Sequence, residues 1–154
     1  MTGSEGTPLE IRVCAASERH DVEALLASCG LPLAGLADHW RTTFVALDRA
    51  NPKAVVGSVA LEMHGTAALL RSLATRADHR GIGLGNALSA FAIERARDLG
   101  ATSVSLLTTT AEPFFAARGF QTVPRDVLPA ALQTSAEFRW ACPASASAML
   151  RSLS

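Results

Sequence analysis

The chain has 154 residues, 49% of them hydrophobic and 18% charged, so it can bury one apolar core but has little room for a second domain. Its 14 basic and 14 acidic residues give a formal net charge of zero, which argues against a nucleic-acid partner. No apolar run approaches the roughly eighteen residues of a membrane span, and residues 1–10 lack the pattern of a signal peptide. We therefore expect no membrane partner and a cytoplasmic location.

The first half of the chain predicts a strand, helical segments and an antiparallel meander. Residues 1–10 are rich in Gly, Ser, Thr and Glu and are expected to be a flexible lead to a single domain over 11–154. Alternation and β-branched content predict strands at 11–14, 43–47, 54–63 and 67–75. Apolar periodicity predicts helices at 17–29 and 33–40. The last three of these strands are joined by short turns, which favours antiparallel pairing.

The second half changes to a strand–helix–strand pattern. Residues 83–99 carry apolar side chains at a helical period, and Gly100 follows as a natural stop. Further elements are predicted as a strand at 103–108, a short helix at 112–118, a strand from Phe120 and a last strand around 146–150. A strand, a crossover helix and a strand around residues 80–108 predict one parallel pair within an otherwise antiparallel sheet.

A glycine-rich turn before the long helix carries the clearest chemical signal. Glycines at 81, 83 and 85 allow close approach of the backbone to a ligand, and a helix N-terminus attracts an anion. Arg80 adds a charged donor, so the segment predicts a pyrophosphate site. The alternative is a tight turn whose glycines serve packing. A dinucleotide-binding GxGxxG after the first strand and a Walker GK[ST] are both absent.

Three motifs in order resemble the GNAT acetyltransferases. The pattern Arg80-x-x-Gly83-x-Gly85 resembles their acetyl-CoA signature, residues 70–75 resemble their fourth strand, and residues 115–120 resemble the end of their motif B. The resemblance covers residues 54–122. It implies an α/β (α+β) GNAT fold, with a mixed, mostly antiparallel sheet of six to seven strands, a splayed parallel pair formed by the fourth and fifth strands, and about four flanking helices. It also implies an N-acetyltransferase with acetyl-CoA as cosubstrate and no metal.

The same resemblance assigns residues to the cofactor. Backbone groups of the fourth strand would pair with the pantetheine arm, the loop and first helical turn would hold the pyrophosphate, and aromatic and basic side chains would flank the arm. The positions that correspond here are Leu73, Ala74, Thr75, Arg80, Gly81, Ile82, Gly83, Leu84, Gly85, Asn86, Phe114, Phe115 and Arg118.

The catalytic groups are less clear because the chain contains no tyrosine. Many family members use a tyrosine as general acid where this chain has Phe115. The resemblance makes the backbone N–H of Leu73 the expected oxyanion donor, and we consider Thr108 and Cys142 as replacement proton donors, beside Thr109, Thr110 and Ser72. Positioning and desolvation, with solvent exchanging protons, is the leading hypothesis. Leu69 replaces the base glutamate of some members, which leaves Glu62 and Glu137 as the nearest carboxylates.

Two further resemblances suggest the acceptor. Residues 69–74 and 107–115 are similar to acetyltransferases associated with arsenic-resistance operons and to the acetyltransferase domain of N-acetylglutamate synthases. Both imply a small amino-acid-like amine. Arg71 and Arg139 are candidates to clamp an anionic group of such a substrate, with Ser72 and Glu62 nearby, although each charged residue could instead be ion-paired or solvated.

Three alternatives stay open at this point. The first is a protein or peptide acetyltransferase of the same fold, which would need an open groove. The second is a non-catalytic acetyl-CoA sensor, which the missing tyrosine and strand glutamate favour. The third is a homodimer that exchanges its last strand, which is compatible with catalysis.

Overall fold

The computed structural model describes residues 9–141 and 145–153, which form an open seven-stranded sheet with helices on both faces. The strands are β1 (Leu9–Val13), β2 (Thr43–Asp48), β3 (Asn51–His64), β4 (Ala67–Thr75), β5 (Ser103–Thr108), β6 (Gln121–Val123) and β7 (Ser147–Ser152). The α-helices are α1 (Arg19–Ser28), α2 (Leu84–Asp98) and α3 (Glu112–Ala116). Short 3-10 helices lie at Ala16–Glu18, Leu36–Thr42, Ala77–His79, Arg125–Val127 and Ala130–Thr134, and a π-helical turn lies at Glu137–Ala141.

The sheet has the order β1-β2-β3-β4-β5-β7-β6. Every neighbouring pair is antiparallel except β4 and β5, which are parallel and joined by α2. The last strand, β7, enters between β5 and β6, so the end of the described chain completes the sheet. This is the mixed sheet with one parallel pair that the sequence predicts.

The parallel pair separates along its length. β4 and β5 pair only at Ala67, Ala68 and Leu69, opposite residues 103–105. Beyond Leu69 the strands share no further pairing, although both continue for several residues. A cleft therefore opens between the carboxyl ends of two adjacent strands.

A bulge in β4 lies beside this cleft. Ser58 of β3 faces Ala74, but Ala60 faces Arg71, so β4 contains one residue more than β3 between these pairs. Ser72 within the bulge has a φ of 61°, the left-handed conformation that non-glycine residues rarely adopt. The Ser58 hydroxyl donates to the Ser72 carbonyl at 2.9 Å and helps to hold this backbone.

The core positions α2 firmly against the sheet. Its buried face includes Leu84, Leu88 and Ala92, which pack with apolar residues of β3, β4 and β5. Gly57 of β3 allows the close approach, because a Cβ there would lie only 2.8 Å from Leu88 Cδ1. The first turn of α2 is thereby fixed at the mouth of the cleft. Helix α1 covers the opposite face through Val22, Leu25 and Leu26.

Several predicted bounds need correction. Leu9 already pairs with Asp48, so the first strand begins two residues earlier than predicted, and residues 1–8 lie outside the described residues. β3 begins at Asn51 because only residues 49 and 50 form the hairpin turn that was predicted to extend to 53.

The helical bounds differ as well. The predicted helix 33–40 is a 3-10 segment shifted to Leu36–Thr42, and α1 begins at Arg19 after a separate 3-10 turn. Helix α3 ends at Ala116 rather than 118, and Phe120 lies in the core just before β6. The described residues thus contain three α-helices, and the other helical turns are short 3-10 or π segments.

Candidate active site

The cleft between β4 and β5 encloses a cavity of about 340 Å³. Residues 70–75 of β4 form one wall, and residues 106–108 of β5 with the following 109–111 form the other. The segment 29–32, which follows α1, closes the top, and Phe115, Glu137 and Ala146 complete the lining. An extended ligand would lie here along the unpaired edge of β4, as an added strand does.

A second cavity of about 230 Å³ lies at the N-terminus of α2. It is lined by Thr75, His79, Arg80, Gly81, Gly83, Leu84, Gly85, Asn86, Phe114 and Arg118. Thr75 and Arg80 line both cavities, so the two adjoin at the end of β4. One elongated ligand can therefore reach from the α2 N-terminus into the cleft.

The glycine loop has the backbone conformation of an anion cradle. Gly81 and Gly83 have φ values of 82° and 83°, and an added Cβ would meet no neighbouring atom at either position. Glycine is therefore favoured at these two positions by the backbone conformation and not by a lack of space. The first intrahelical bond runs from Ala87 N to the Gly83 carbonyl, which leaves the N–H groups of the first turn without intrahelical partners. These donors and the helix dipole favour a phosphate.

The predicted loop residues differ in whether they line the phosphate cavity. Arg80 and Asn86 place side chains at the cavity, whereas Ile82 is 47% exposed and does not line it. Leu84 is buried in the core while also reaching the cavity. Any contact of Ile82 with a ligand would therefore come from its backbone.

Helix α3 forms the far wall of the phosphate cavity. The Arg118 guanidinium stacks 3.6 Å from the centre of the Phe114 ring, and its Nε donates to Asn86 Oδ1 at 3.0 Å. Phe114 also lies against Gly85, where an added Cβ would be 3.5 Å from the ring. Phe115 points elsewhere, into the core against Phe120, and borders the β4–β5 cavity.

The candidates for chemistry on the acetyl group meet at the bulge. Ser72, Leu73 and Thr108 all line the larger cavity, from its two opposing strands. A bulge interrupts the hydrogen-bond ladder locally, which makes backbone donors available beside the cavity. Thr108 Oγ1 accepts a hydrogen bond from Ala111 N at 3.0 Å and keeps its own proton to donate.

Arg71, a predicted substrate clamp, lines the larger cavity, but its guanidinium is bound by protein groups. Its side chain is fully buried, and Nη1 donates to Glu62 Oε2 and to the Ala34 carbonyl, both at 2.7 Å. Nη2 donates to the Pro32 carbonyl at 3.1 Å, and Nε donates to Ser72 Oγ at 3.2 Å. Since all three nitrogens bind protein groups, the guanidinium is committed to the fold.

Glu62, also a predicted substrate residue, is held by protein groups as well. It is buried and does not line the cavity, because it lies behind Arg71. Burial acts to raise the pKa of Glu62, but hydrogen bonds from His64, Arg71 and Ser135 outweigh it and hold that pKa below its ordinary value. Glu62 Oε1 lies 2.9 Å from His64 Nε2 and 3.7 Å from His39 Nε2. This carboxylate stays ionised as the partner of Arg71.

Arg139 and Cys142 are the remaining candidates. Arg139 is exposed in the π-helical turn and is not among the lining residues. Cys142 lies outside the described residues. Cys14 is buried, and desolvation raises the pKa of its thiol to about 11.

The sequence did not predict that segment 29–32 lines the larger cavity. Cys29, which lies 3.6 Å from Arg80 Nη2, lines the cavity together with Pro32. This loop contains no recognisable motif, so its sequence gives no indication of which part of the fold it packs against.

Comparison with known proteins gives the family. The model of the acetyltransferase (GNAT) domain family matches residues 39–122, more than half of the chain. The chain belongs to the GNAT acetyltransferase family. A search of curated proteins finds no significant match.

Solved structures share the fold over nearly the whole chain. N-acetylglutamate synthase from Neisseria gonorrhoeae, complexed with coenzyme A and N-acetyl-glutamate, matches with a TM-score of 0.79 and 23% identity over 95% of this chain. This chain spans only 35% of that protein. Rv2747 from Mycobacterium tuberculosis, in complex with CoA and NLQ, matches with a TM-score of 0.78 and 23% identity, covering 94% of this chain and 99% of that one.

A GNAT-family acetyltransferase from Staphylococcus aureus Mu50 matches with a TM-score of 0.75 and 15% identity, covering 95% of this chain and 99% of that one. Identities this low establish the common fold alone. Across residues 9–141 and 145–153, no helix has the length and apolar character to cross a membrane. The same residues contain no cluster of three His, Cys, Asp or Glu side chains suited to a metal ion.

The two cavities fit the parts of acetyl-CoA. The α2 N-terminus offers N–H donors and two arginines to the pyrophosphate, and the unpaired edge of β4 offers backbone groups to the pantetheine amides. Acetyl-CoA supplies an activated acetyl thioester. If acetyl-CoA is held in these cavities, the protein would exclude water from that thioester and offer donors beside its carbonyl.

Proposed function

We propose that this protein acetylates the amino group of a small, amino-acid-like substrate held in the inner part of the β4–β5 cavity. The observation that carries the proposal is the shape and lining of this cavity. Its volume of about 340 Å³ is at the low end for ligand sites, and segment 29–32 covers it. Such a space suits a thioester and a compact amine better than a polypeptide.

Glu137 supports an amine as the acceptor. Its carboxylate is 4% exposed, lines the cavity and lies 3.4 Å from Arg71 Nε. A buried carboxylate at the cavity wall attracts a cationic ammonium group and can take up its proton before attack. Glu62, the other carboxylate considered from the sequence, does not line this cavity.

For the acetyl group, we propose donors from both strands. The backbone N–H of Leu73, in the β4 bulge, is aimed at the developing oxyanion, and the Thr108 hydroxyl donates to the leaving thiolate or to a water beside it. Thr108→Val should lower kcat more than Thr108→Ser, because serine keeps the hydroxyl. Thr109→Val is the matched control, since Thr109 lines the same wall.

The cofactor residues in this proposal are those of the two cavities. Backbone groups of Leu73, Ala74 and Thr75 bind the pantetheine arm, residues 81–86 bind the pyrophosphate, and Arg80 and Arg118 neutralise its charge. Phe114 closes the phosphate side. Ser72 lies next to the acceptor.

The nature of the acceptor receives support from the neighbours. N-acetylglutamate synthase, which shares the fold, is complexed with N-acetyl-glutamate, an acetylated amino acid. The finer association with arsenic resistance rests on sequence resemblance alone and stays a prediction. The possible homodimer stays a prediction as well.

Release of free coenzyme A from acetyl-CoA tests the proposal. The panel contains amino acids, their phosphorus- and arsenic-containing analogues, simple amines and short peptides. We expect turnover with a single amino-acid-like class and none with peptides. Turnover of peptides alone would overturn the small-substrate proposal, and tight acetyl-CoA binding without turnover of any amine would favour the sensor.

A further inference from the structure

Arg71 connects three segments that are far apart in the sequence. The segment between α1 and the next 3-10 helix, residues 29–35, is here called the roof loop, because its first part closes the acceptor cavity. Arg71 donates to two roof-loop carbonyls, those of Pro32 and Ala34. The same guanidinium lies 3.4 Å from the Glu137 carboxylate, so one side chain contacts two walls of the cavity.

The roof loop is pressed against the segment that carries Glu137. Gly35 has a φ of 79°, and an added Cβ would lie 2.8 Å from Ala136 Cβ and 3.4 Å from Arg71 Nη1. No other side chain fits this position without moving one of the two segments. The roof loop, Arg71 and residues 136–137 therefore form a single packed unit over the acceptor end of the cavity.

The charge of Arg71 is balanced by a buried carboxylate outside the cavity lining. Glu62 on β3 accepts at 2.7 Å, and neither charged side chain is exposed beyond 1%. Ser72, next in the chain, accepts from Arg71 Nε and occupies the strained bulge beside the cavity. A buried guanidinium with a dedicated carboxylate has a fixed orientation, which lysine cannot reproduce because it lacks the planar fork.

We infer that Arg71 is a positioning residue that sets the affinity for the acceptor by holding the roof loop and Glu137 in place, with Glu62 fixing Arg71 in turn. This inference rests on the proposed function, since it assigns the acceptor to the cavity under the roof loop. Arg71 contacts no part of the phosphate cavity. Its loss should therefore affect the acceptor far more than acetyl-CoA.

Steady-state kinetics of Arg71→Met and Arg71→Lys provide the test. We expect Arg71→Met to raise the KM for the acceptor by about tenfold or more, with the KM for acetyl-CoA changed by less than about threefold. Arg71→Lys should recover only part of the loss. Arg97→Met is the control, because Arg97 is an exposed arginine of α2 that pairs with Glu94. Equal increases in both KM values, or no increase for the acceptor, would overturn the inference.

A second variant covers the case in which Arg71→Met does not fold. Gly35→Ala leaves every charge in place but forces the roof loop away from Ala136. It should raise the acceptor KM in the same selective way. An unchanged acceptor KM in folded Gly35→Ala would contradict the proposed role of the roof loop.

Hydrogen exchange separates this inference from the proposed function. The backbone amides of residues 30, 31 and 33–35 should exchange about tenfold faster in Arg71→Met than in Arg97→Met, without any acceptor present (Pro32 has no N–H). If the wild-type enzyme turns over no amine but the roof loop is released in this way, the proposed function fails while the positioning role stands. Unchanged exchange in the roof loop would overturn the positioning role itself.

Discussion

Ser72 is the residue at which the fold departs most from ordinary strand geometry. Its left-handed backbone, at φ 61°, costs about 1–3 kcal/mol for a residue with a side chain. Two hydrogen bonds offset this cost, from Ser58 Oγ to its carbonyl and from Arg71 Nε to its hydroxyl. The strain lies beside the proposed oxyanion donor, the backbone N–H of Leu73.

Substitution at Ser72 separates the strain from the hydroxyl. Ser72→Ala loses the hydroxyl and keeps the strain, whereas Ser72→Gly loses the hydroxyl and relieves the strain. We expect the glycine variant to be more stable than the alanine variant by about 1 kcal/mol in urea unfolding. An alanine variant at least as stable as the glycine variant would show that the bulge is not strained.

Gly85 allows two opposite effects to be measured in one variant. It lies in the first turn of α2 without a left-handed φ, and a Cβ would meet only the Phe114 ring, at an ordinary 3.5 Å. Gly85→Ala should therefore stabilise the protein by up to about 1 kcal/mol. The added methyl group enters the phosphate cavity, so acetyl-CoA should bind about tenfold more weakly.

Calorimetric binding and thermal unfolding measure these two effects. Asp98→Ala, at the exposed last position of the same helix, is the control. It improves helix propensity and removes a negative charge from the helix C-terminus, far from the phosphate cavity. Unchanged acetyl-CoA affinity in Gly85→Ala would mean that the phosphate does not approach the first turn.

The two described cysteines should differ in reactivity. With a pKa of about 11 and 8% exposure, Cys14 is about one part in a thousand thiolate at pH 8. Cys29 lines the cavity beside Arg80. Mass spectrometry after limited N-ethylmaleimide treatment should find Cys29 modified well before Cys14, and acetyl-CoA should slow the modification of Cys29. Lack of protection by acetyl-CoA would contradict the placement of the cofactor.

At the scale of elements, the buried ion pair between β3 and β4 has a pH signature. Burial opposes ionisation of Glu62, but hydrogen bonds from His64, Arg71 and Ser135 hold its pKa below the ordinary value near 4.5. His39 also lies near the Glu62 carboxylate, and Glu137 contacts the other side of Arg71. The stabilisation from ionised Glu62 is therefore complete above pH 4.5 and is lost as pH falls through the lower folded pKa.

Comparison of wild type with Glu62→Gln measures this contribution. Within that acid window, the free energy of unfolding of the wild type should fall more steeply with decreasing pH, by up to about 1.4 kcal/mol per pH unit. Glutamine has no proton to gain, so its curve should be flatter. Parallel curves in urea titrations between about pH 3 and 5 would show that Glu62 is not perturbed.

Apolar strands that are bounded by clear turns were predictable from sequence alone. The bounds of β4 and β5 are confirmed at residues 67–75 and 103–108, because the strands are apolar and end at clear turns. The short 3-10 segments were not predictable, since they depend on tertiary contacts such as Thr43 Oγ1 with the His39 carbonyl. The insertion of β7 between β5 and β6 depends on long-range pairing for which no local pattern exists.

At the scale of the whole molecule, the family was predictable because glycines and an arginine at fixed spacing carry that information locally. The hydrogen-bond partners of Arg71 were not predictable, because Pro32, Ala34 and Glu62 come from two distant segments. A sequence shows that an arginine is present but not which acceptors satisfy it.

The central claim is that one acetyl-CoA molecule extends from the α2 N-terminus into the gap between β4 and β5. A crystal structure of the complex with coenzyme A tests it most directly. Pyrophosphate oxygens are predicted within about 3 Å of backbone nitrogens in residues 81–86, with the pantetheine arm along residues 73–75. Coenzyme A bound elsewhere, or a complete absence of binding, would contradict the account.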